Sequence, residues 1–412
     1  MESSVAIELA KHVLYTFALI LAIGTASGLI ANKLRVPDVA VFLIIGMVLG
    51  PEVLDLVTIR ADSALNQIIL IFGASYILFD GGATLRLKVL KEVWITIVTL
   101  ATVGVLITAA ITAVAAYYVF SLPFIVALLL ALVIASTDPA TLVPVFKQVK
   151  IRDRVAQTVM SESAFNDAVG AIATFVVLGI AMGHDGGISL GDAGVDLLKQ
   201  AGLGLLAGGI LGYLASMLIA HERFGFFQEY APVVTLMAVL GSYLAADGLH
   251  ASGFMAVFVF GIMLGNKSAF GFEMAHRDEE EMEDFIQTTA FVMRMFIFIL
   301  LGAQVDFGLM NKYLLGAIGV VVVFMLVARP VTVFLCTLPD RRAKWKLKEM
   351  LFMCWTRETG VIPGALAGLL LGMGAPEAKL IASVTFVAIL STILIQATTT
   401  KWVAGKLGLL EE

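Results

Sequence analysis

Charge is what this 412-residue chain has least of. Asp, Glu, Lys and Arg together make up 14% of it, where a soluble domain usually carries about 25%. Cysteine is scarcer still: Cys336 and Cys354 both lie in or beside apolar stretches, which argues against a disulfide framework. The five histidines, His12, His184, His221, His250 and His276, are scattered at segment ends and in loops, so no metal cluster is apparent. No polar stretch is long enough to fold as a nucleotide-binding or catalytic domain. Neither an enzyme, a bound cofactor nor a nucleic-acid partner is indicated, and a net charge of −5 says little about partners. What remains is apolar: 60% of the residues are hydrophobic and the mean hydropathy is +0.97. That composition belongs to an all-α polytopic membrane protein surrounded by lipid.

Thirteen apolar segments can be marked, near 9–31, 37–54, 64–82, 93–119, 123–147, 153–182, 195–220, 229–246, 250–266, 286–303, 312–337, 347–372 and 379–402. The first has no small-residue cleavage site after it and many more follow, so it reads as a span rather than a signal peptide. The segment at 37–54 is short; a re-entrant piece is its alternative, but the loop charges prefer a full crossing. Of the 27 Lys and Arg, nineteen fall in loops on one side of thirteen crossings, five on the other, and Arg294, Arg329 and Arg357 lie in or at the edge of apolar segments. Lys/Arg excess marks the cytoplasmic side, which puts the N-terminus outside and the C-terminus in the cytoplasm. The loop at 267–285 carries Asp278-Glu279-Glu280-Glu281 and Glu283-Asp284. It reads as a solvated acidic surface, with cation attraction or pH sensing as the alternative. Trp94, Trp345 and Trp402 lie near segment ends, as interface anchors do.

Two segments are broken. The fifth is interrupted at Thr137-Asp138-Pro139. Proline lacks an amide hydrogen, clashes with the preceding turn and disfavours helical geometry at Asp138. Asp138 or Thr137 can cap the helix that resumes. A kinked span with a local cap is one reading; a half-helix end aimed at a binding site is the other. The twelfth segment carries Thr356-Arg357-Glu358-Thr359-Gly360 and then Pro363-Gly364 inside an apolar run. With the seventh segment as a linker, both breaks occupy the fifth place in a set of six, with opposite traverse. This is the pattern of two inverted six-helix repeats, at 1–182 and 229–412, joined by a linker helix and loops at 183–228, with the broken helices crossing at the midplane.

The sixth segment contains Ser161-Glu162-Ser163-Ala164-Phe165-Asn166-Asp167. Ser163 and Asp167 share one helix face, as do Glu162 and Asn166. Counted from Arg154 at about 1.5 Å per residue, Asp167 lies roughly 20 Å along the helix, near the middle of a hydrocarbon core about 30 Å thick. Thr137 reaches a similar depth from the opposite side. A carboxylate at that depth is costly and is rarely there without a task. It is a hard oxygen ligand for an alkali cation and also titrates, since desolvation raises a carboxyl toward working pH. An interhelical hydrogen-bond hub is the alternative for Asp167. Asn166 adds no charge and suits a geometric role. Glu162 reads as one half of a buried ion pair with Arg357, for which Glu358 and Asp80 are competing partners. Asp80, in Phe79-Asp80-Gly81-Gly82, is otherwise a helix-end carboxylate, and Arg329 and Arg294 read as structural anchors.

These motifs resemble those of the monovalent cation:proton antiporters, in the prokaryotic sodium/hydrogen exchanger branch. Thr137-Asp138-Pro139 is similar to that family's broken-helix motif, and Glu162-Ser163-Ala164-Phe165-Asn166-Asp167 to its acidic-helix motif. Asn166-Asp167 matches the pair associated with electroneutral exchange. Phe79-Asp80-Gly81-Gly82 and the Trp355, Arg357, Gly360 and Pro363 pattern add to the likeness, which covers nearly the whole span region. It implies sodium or potassium exchanged one-for-one against protons, with Asp167 as the main ligand of an alkali cation. Thr137 and Ser163 would supply oxygens, Asp138 would support the crossed helices as a further ion ligand, a helix cap or both, and Glu162 would interact with Arg357. It also implies a homodimer in a prokaryotic inner or plasma membrane, with an ion-carrying core that moves against a scaffold. Glu358 is a departure, since many relatives have a Gly-Leu-Arg-Gly-like pattern there. The cytoplasmic nucleotide-binding domain of some relatives has no counterpart in these residues. A cation channel or uniporter is the main alternative, and a non-transporting scaffold or receptor the third.

Overall fold

The computed structural model describes residues 2–34, 36, 38–137, 146, 151–183, 190–221 and 224–410. The expectations for Asp138 and Pro139 therefore lie outside the described residues. The chain is an all-α polytopic membrane protein. Among the described residues, nine helices are long and apolar enough to cross a bilayer, and four shorter apolar helices accompany them. Lipid offers backbone groups no hydrogen bonds, so spans close their own as helices. The side chains agree: Leu14, Leu206, Leu244 and Leu315 project outward, as a lipid-facing belt requires.

In chain order the helices are α1 (Glu2–Leu34), α2 (Asp38–Leu49), α3 (Ala64–Ala83), α4 (Leu87–Thr99), α5 (Val105–Phe120), α6 (Phe124–Ala135), α7 (Asp153–Ala181), α8 (Leu190–Ala220) and α9 (Ala231–Gly248). They continue as α10 (Gly253–Gly265), α11 (His276–Ala303), α12 (Phe307–Val323), α13 (Arg329–Thr337), α14 (Leu347–Trp355), α15 (Val361–Gly372), α16 (Ala378–Ser391) and α17 (Thr398–Leu407). Three of the long spans contain a π-turn: Leu100–Gly104 joins α4 to α5, Phe324–Ala328 joins α12 to α13, and Thr392–Ala397 joins α16 to α17. The acidic run expected in a loop is instead the first turns of α11. Asp278 and Glu279 lie in its opening turn, where negative charge complements the helix dipole.

Helices α3 and α10 cross at backbone contact, because Gly82 and Gly261 present no side chain there. A Cβ on Gly261 would collide with the carbonyl of Phe79, and one on Gly82 with that of Phe258. Aromatic packing continues this seam through Phe79 and Phe260, whose rings stack at 4.9 Å. One end of the bundle is tied by a polar network. Arg154 bonds Glu349 and the Ala343 carbonyl, both at 2.8 Å, and lies 4.3 Å over the Trp345 ring. Trp345 Nε1 donates to Thr96 Oγ1 at 2.8 Å, and that hydroxyl donates to Asp340 at 2.7 Å. Trp345 thus joins α4, α7 and α14 rather than anchoring in the interface. Trp94 and Trp402 remain exposed.

Candidate functional site

Both expected breaks are present where described. Helix α6 stops at Ala135, and Ser136 is extended with φ −72 and ψ 150. Helix α14 stops at Trp355, Thr356–Gly360 is non-helical and fully buried, and α15 resumes at Val361 with Pro363 in its first turn. Proline is tolerated there because the amides of that turn have no intrahelical acceptor.

The open end of α6 is received by α7. The Thr137 amide donates to Asn166 Oδ1 at 3.0 Å, and Thr137 Oγ1 donates to Ser163 Oγ at 2.7 Å. Asn166 Nδ2 returns a bond to Thr137 Oγ1 at 2.8 Å. The amide of Asn166 therefore supplies a donor and an acceptor to the same residue, which explains an uncharged group at this point. Asp167 follows directly, one turn beyond Ser163 on its face and 3% exposed. Gly170, one turn beyond Asn166, lets the strand-like end of α6 come this close, since a Cβ there would collide with Ser136 Oγ. Nothing in the sequence motif singled out Gly170; its spacing of four from Asn166 is the signal.

The second acid of α7 has a different partner from the one expected. Glu162 forks onto Arg329, with Oε1 accepting from Nη1 at 2.5 Å and Oε2 from Nη2 at 2.8 Å. Arg329 Nε also donates to the Met353 carbonyl at 2.9 Å. Arg357 instead gives Nη1 to Thr108 Oγ1 at 3.0 Å and Nη2 to the Ala135 carbonyl, with the Phe324 ring 4.8 Å away. The expected Glu162–Arg357 pair is thus replaced by Glu162–Arg329. The reason is geometric: Arg357 lies in the second break and faces the end of α6, whereas Arg329 leaves the π-turn of its span toward α7. Each guanidinium reaches a carbonyl near the C-terminal end of a half-helix, α6 or α14, where the dipole favours positive charge.

Asp80 belongs to another place. It lines a cavity of about 340 Å³ with Arg86, Lys267, Glu283 and Gln287, where buried Lys267 pairs with Glu279. A second cavity, about 450 Å³, opens at the other end beside Glu52, Arg60, Asp306 and Lys379. On its rim the hydrogen bonds from Arg60 hold the Asp62 carboxyl below its ordinary range. Arg294 packs against the Phe291 ring at 5.8 Å. Among the described residues no group of three His, Cys, Asp or Glu could hold a metal ion.

Residues 17–406 match the family described as the transmembrane sodium/hydrogen exchanger. The "Na(+)/H(+) antiporter 1" of Methanocaldococcus jannaschii is 32% identical over 364 residues, covering 85% of this chain and 81% of the relative. The "K(+)/H(+) antiporter NhaP" of Alkalimonas amylolytica is 28% identical over 379 residues, 91% of this chain and 63% of that protein. The structure of the sodium proton antiporter MjNhaP1 from M. jannaschii at pH 8 superposes with a TM-score of 0.85 at 30% identity, covering 97% of this chain and 99% of the other.

Proposed function

The chain belongs to the sodium/hydrogen exchanger family, and from that premise we propose that it is a secondary-active antiporter exchanging sodium or potassium for protons at Asp167. The observation that carries the site is the clamp of Thr137 by Ser163 and Asn166 beside that buried acid. Thr137 and Ser163 supply neutral oxygens, and Asp167 supplies the one charge that a cation or a proton neutralises in turn. Asp138 supports the crossed helices next to them. Since Asn166 stands where a second acid would add charge, one cation replaces one proton and the cycle is electroneutral. Alternating access keeps the two ions from crossing together.

The proposed architecture is thirteen crossings in two inverted repeats. Thr108 and Thr332 share a hydrogen bond of 2.8 Å and are 224 residues apart. The π-turns that begin at Leu100 and Phe324 have the same separation, and α6 and α14 begin within one residue of it. Residues related by a two-fold axis meet their own equivalents only on that axis, so this register supports halves at 1–182 and 229–412 around the linker. Segments four to six and eleven to thirteen form the ion-carrying core; the others, glycine-locked at α3 and α10, form the scaffold of a homodimer. The N-terminus is outside and the C-terminus cytoplasmic in a prokaryotic inner or plasma membrane.

Purified protein in sealed vesicles tests the function. Imposed sodium, potassium or lithium gradients should each be compared for opposite proton movement between pH 5 and 9. Folded protein with no cation-dependent proton flux removes the reading, and cation flux without proton exchange supports the channel or uniporter instead.

A further inference from the structure

The connection between α8 and α9 carries aromatic side chains that the site at Asp167 does not use. It reads Phe224-Gly225-Phe226-Phe227-Gln228-Glu229-Tyr230. Phe224, Phe226, Phe227 and Tyr230 are all exposed, Phe226 at 71%. Apolar surface gathered in this way marks a contact face. The helices on either side are both long and apolar enough to cross a bilayer, so the loop lies where lipid meets water.

The backbone sets the depth of these rings. The Gly225 amide donates to the His221 carbonyl at 2.7 Å, and the Phe227 amide to the carbonyl of Leu218, inside α8, at 3.1 Å. The chain thus doubles back along the last turn of α8, Met217-Leu218-Ile219-Ala220, instead of running on into water. The rings also continue the lipid-facing belt. Leu206, Ile210 and Tyr213 are exposed at helical spacing on α8. From Tyr213, ring contacts lead to Phe272 at 5.2 Å, on to His221 at 5.7 Å, then to Phe224 at 5.1 Å and to Phe226 at 6.4 Å. Aromatic rings are favoured at this level, where an apolar body leaves water while a polar edge or hydroxyl stays near the headgroups.

We propose that Phe224, Phe226, Phe227 and Tyr230 form an interfacial anchor that seats α8 in the boundary between lipid headgroups and acyl chains. The anchor acts beyond its own loop. A Cβ on Gly208 would collide with the Ala256 carbonyl, so α8 meets α10 at backbone contact, as α10 meets α3. Phe258 of α10 turns its ring to Phe165 of the acidic helix, at 4.8 Å. Fixing the depth of α8 therefore fixes the wall against which α7 packs. The seating of the loop rests on this geometry alone; its effect on exchange rests on the antiporter reading.

A nitroxide label tests the seating on the full chain in vesicles of phosphatidylethanolamine and phosphatidylglycerol. It is placed at Phe226→Cys, with Cys336→Ala and Cys354→Ala removing the native thiols. Collisions with oxygen, which enters lipid, are compared with collisions with a water-soluble nickel chelate. Glu280→Cys, on the exposed start of α11, is the aqueous control. Oxygen should dominate at 226 and nickel at 280. If the cysteine-free protein does not fold, Phe226→Trp gives the same reading as quenching by brominated lipid beyond that of wild type. Nickel access at 226 equal to the control overturns the proposal. So does a label shielded from both reagents or coupled to its copy in a second chain, which makes the loop a protein contact. Exchange across bilayers of increasing acyl length reads the consequence. Phe224→Ser, Phe226→Ser and Phe227→Ser combined leave the Asp167 site untouched, so apparent cation affinity in a bilayer of matched thickness should equal that of wild type. The rate should fall about threefold or more in the thinnest and thickest bilayers, where an unanchored helix tilts or shifts. Parallel thickness profiles overturn the link to exchange. Lipid contact at 226 without exchange by wild type removes the antiporter reading and keeps the anchor.

Discussion

The bidentate pair between Glu162 and Arg329 permits a sharp test of how the acidic helix is held. Both side chains are nearly fully enclosed, at 3% and 1% exposure. Their attraction at 4 Å and an effective dielectric near 20 is about 4 kcal/mol. Removing one partner strands the other charge in the core, which costs about 3–5 kcal/mol. Arg329→Met therefore loses the pair and also the bond to the Met353 carbonyl that holds the end of α14. Glu162→Gln keeps the shape but leaves the guanidinium uncompensated. The double variant strands no charge, so it should be markedly more stable than the sum of the single losses, with a coupling of about 2 kcal/mol or more, near the upper part of the usual range. Unfolding of the four proteins in detergent, followed thermally and by denaturant, measures that coupling. The parallel cycle with Arg357→Ala and Glu162→Gln should be close to additive, because Arg357 bonds Thr108 and Ala135 instead. Additivity in the Arg329 cycle together with strong coupling in the Arg357 cycle would refute the assignment.

Asn166→Ala removes both polar atoms that grip Thr137 and leaves its buried amide unpaired, at a cost of about 1–3 kcal/mol; a thermal melt and the apparent cation affinity for exchange should both fall. Gly170→Ala places a methyl against Ser136 Oγ and should cost about 1 kcal/mol while weakening cation affinity more than folding, as vesicle assays over a range of cation concentrations will show. Asp167→Asn keeps the side chain's size but removes its charge and titration, so a folded, membrane-inserted protein should carry out no exchange in the same vesicles. In wild type an imposed voltage at fixed ion gradients should barely change the rate; a strong dependence would overturn one-for-one stoichiometry while leaving Asp167 in place.

Much of this was legible because lipid constrains a chain so strongly. Apolar runs had to become helices, and the Thr356–Gly360 stretch had to interrupt one. Counting along the helix put Asp167 well inside a span, and it is buried there. Pairing was less legible. Arg329 and Arg357 both lie in apolar segments of the second half, and periodicity does not state which of them faces α7. The choice is made by a π-turn at Phe324–Ala328, which no residue pattern marks. Helix starts misled for a related reason: the acidic residues before Ile286 look like loop, yet α11 begins at His276 because it can run past the hydrocarbon into water. Trp345 looked like an interface anchor from its place at a segment end, but the loop folds back and delivers it onto Arg154.

The separation of 224 residues that joins Thr108 to Thr332 also shows how charge is divided between the proposed halves. At that separation Glu162, Ser163 and Asn166 correspond to Phe386, Val387 and Leu390, while Arg329 and Arg357 correspond to Val105 and Val133. The first half thus brings the acids of the sixth helix and the second half brings the guanidiniums. Each set would be costly alone at bilayer depth. They compensate across the halves, Arg329 on Glu162 and Arg357 on the carbonyl end of α6. Identical charges in both halves would instead have placed like against like near the axis. On the proposed two-fold arrangement, this unequal division of charge is what lets the halves pack together. It leaves Asp167 outside the Glu162–Arg329 pair, as its proposed role in carrying a cation or a proton requires.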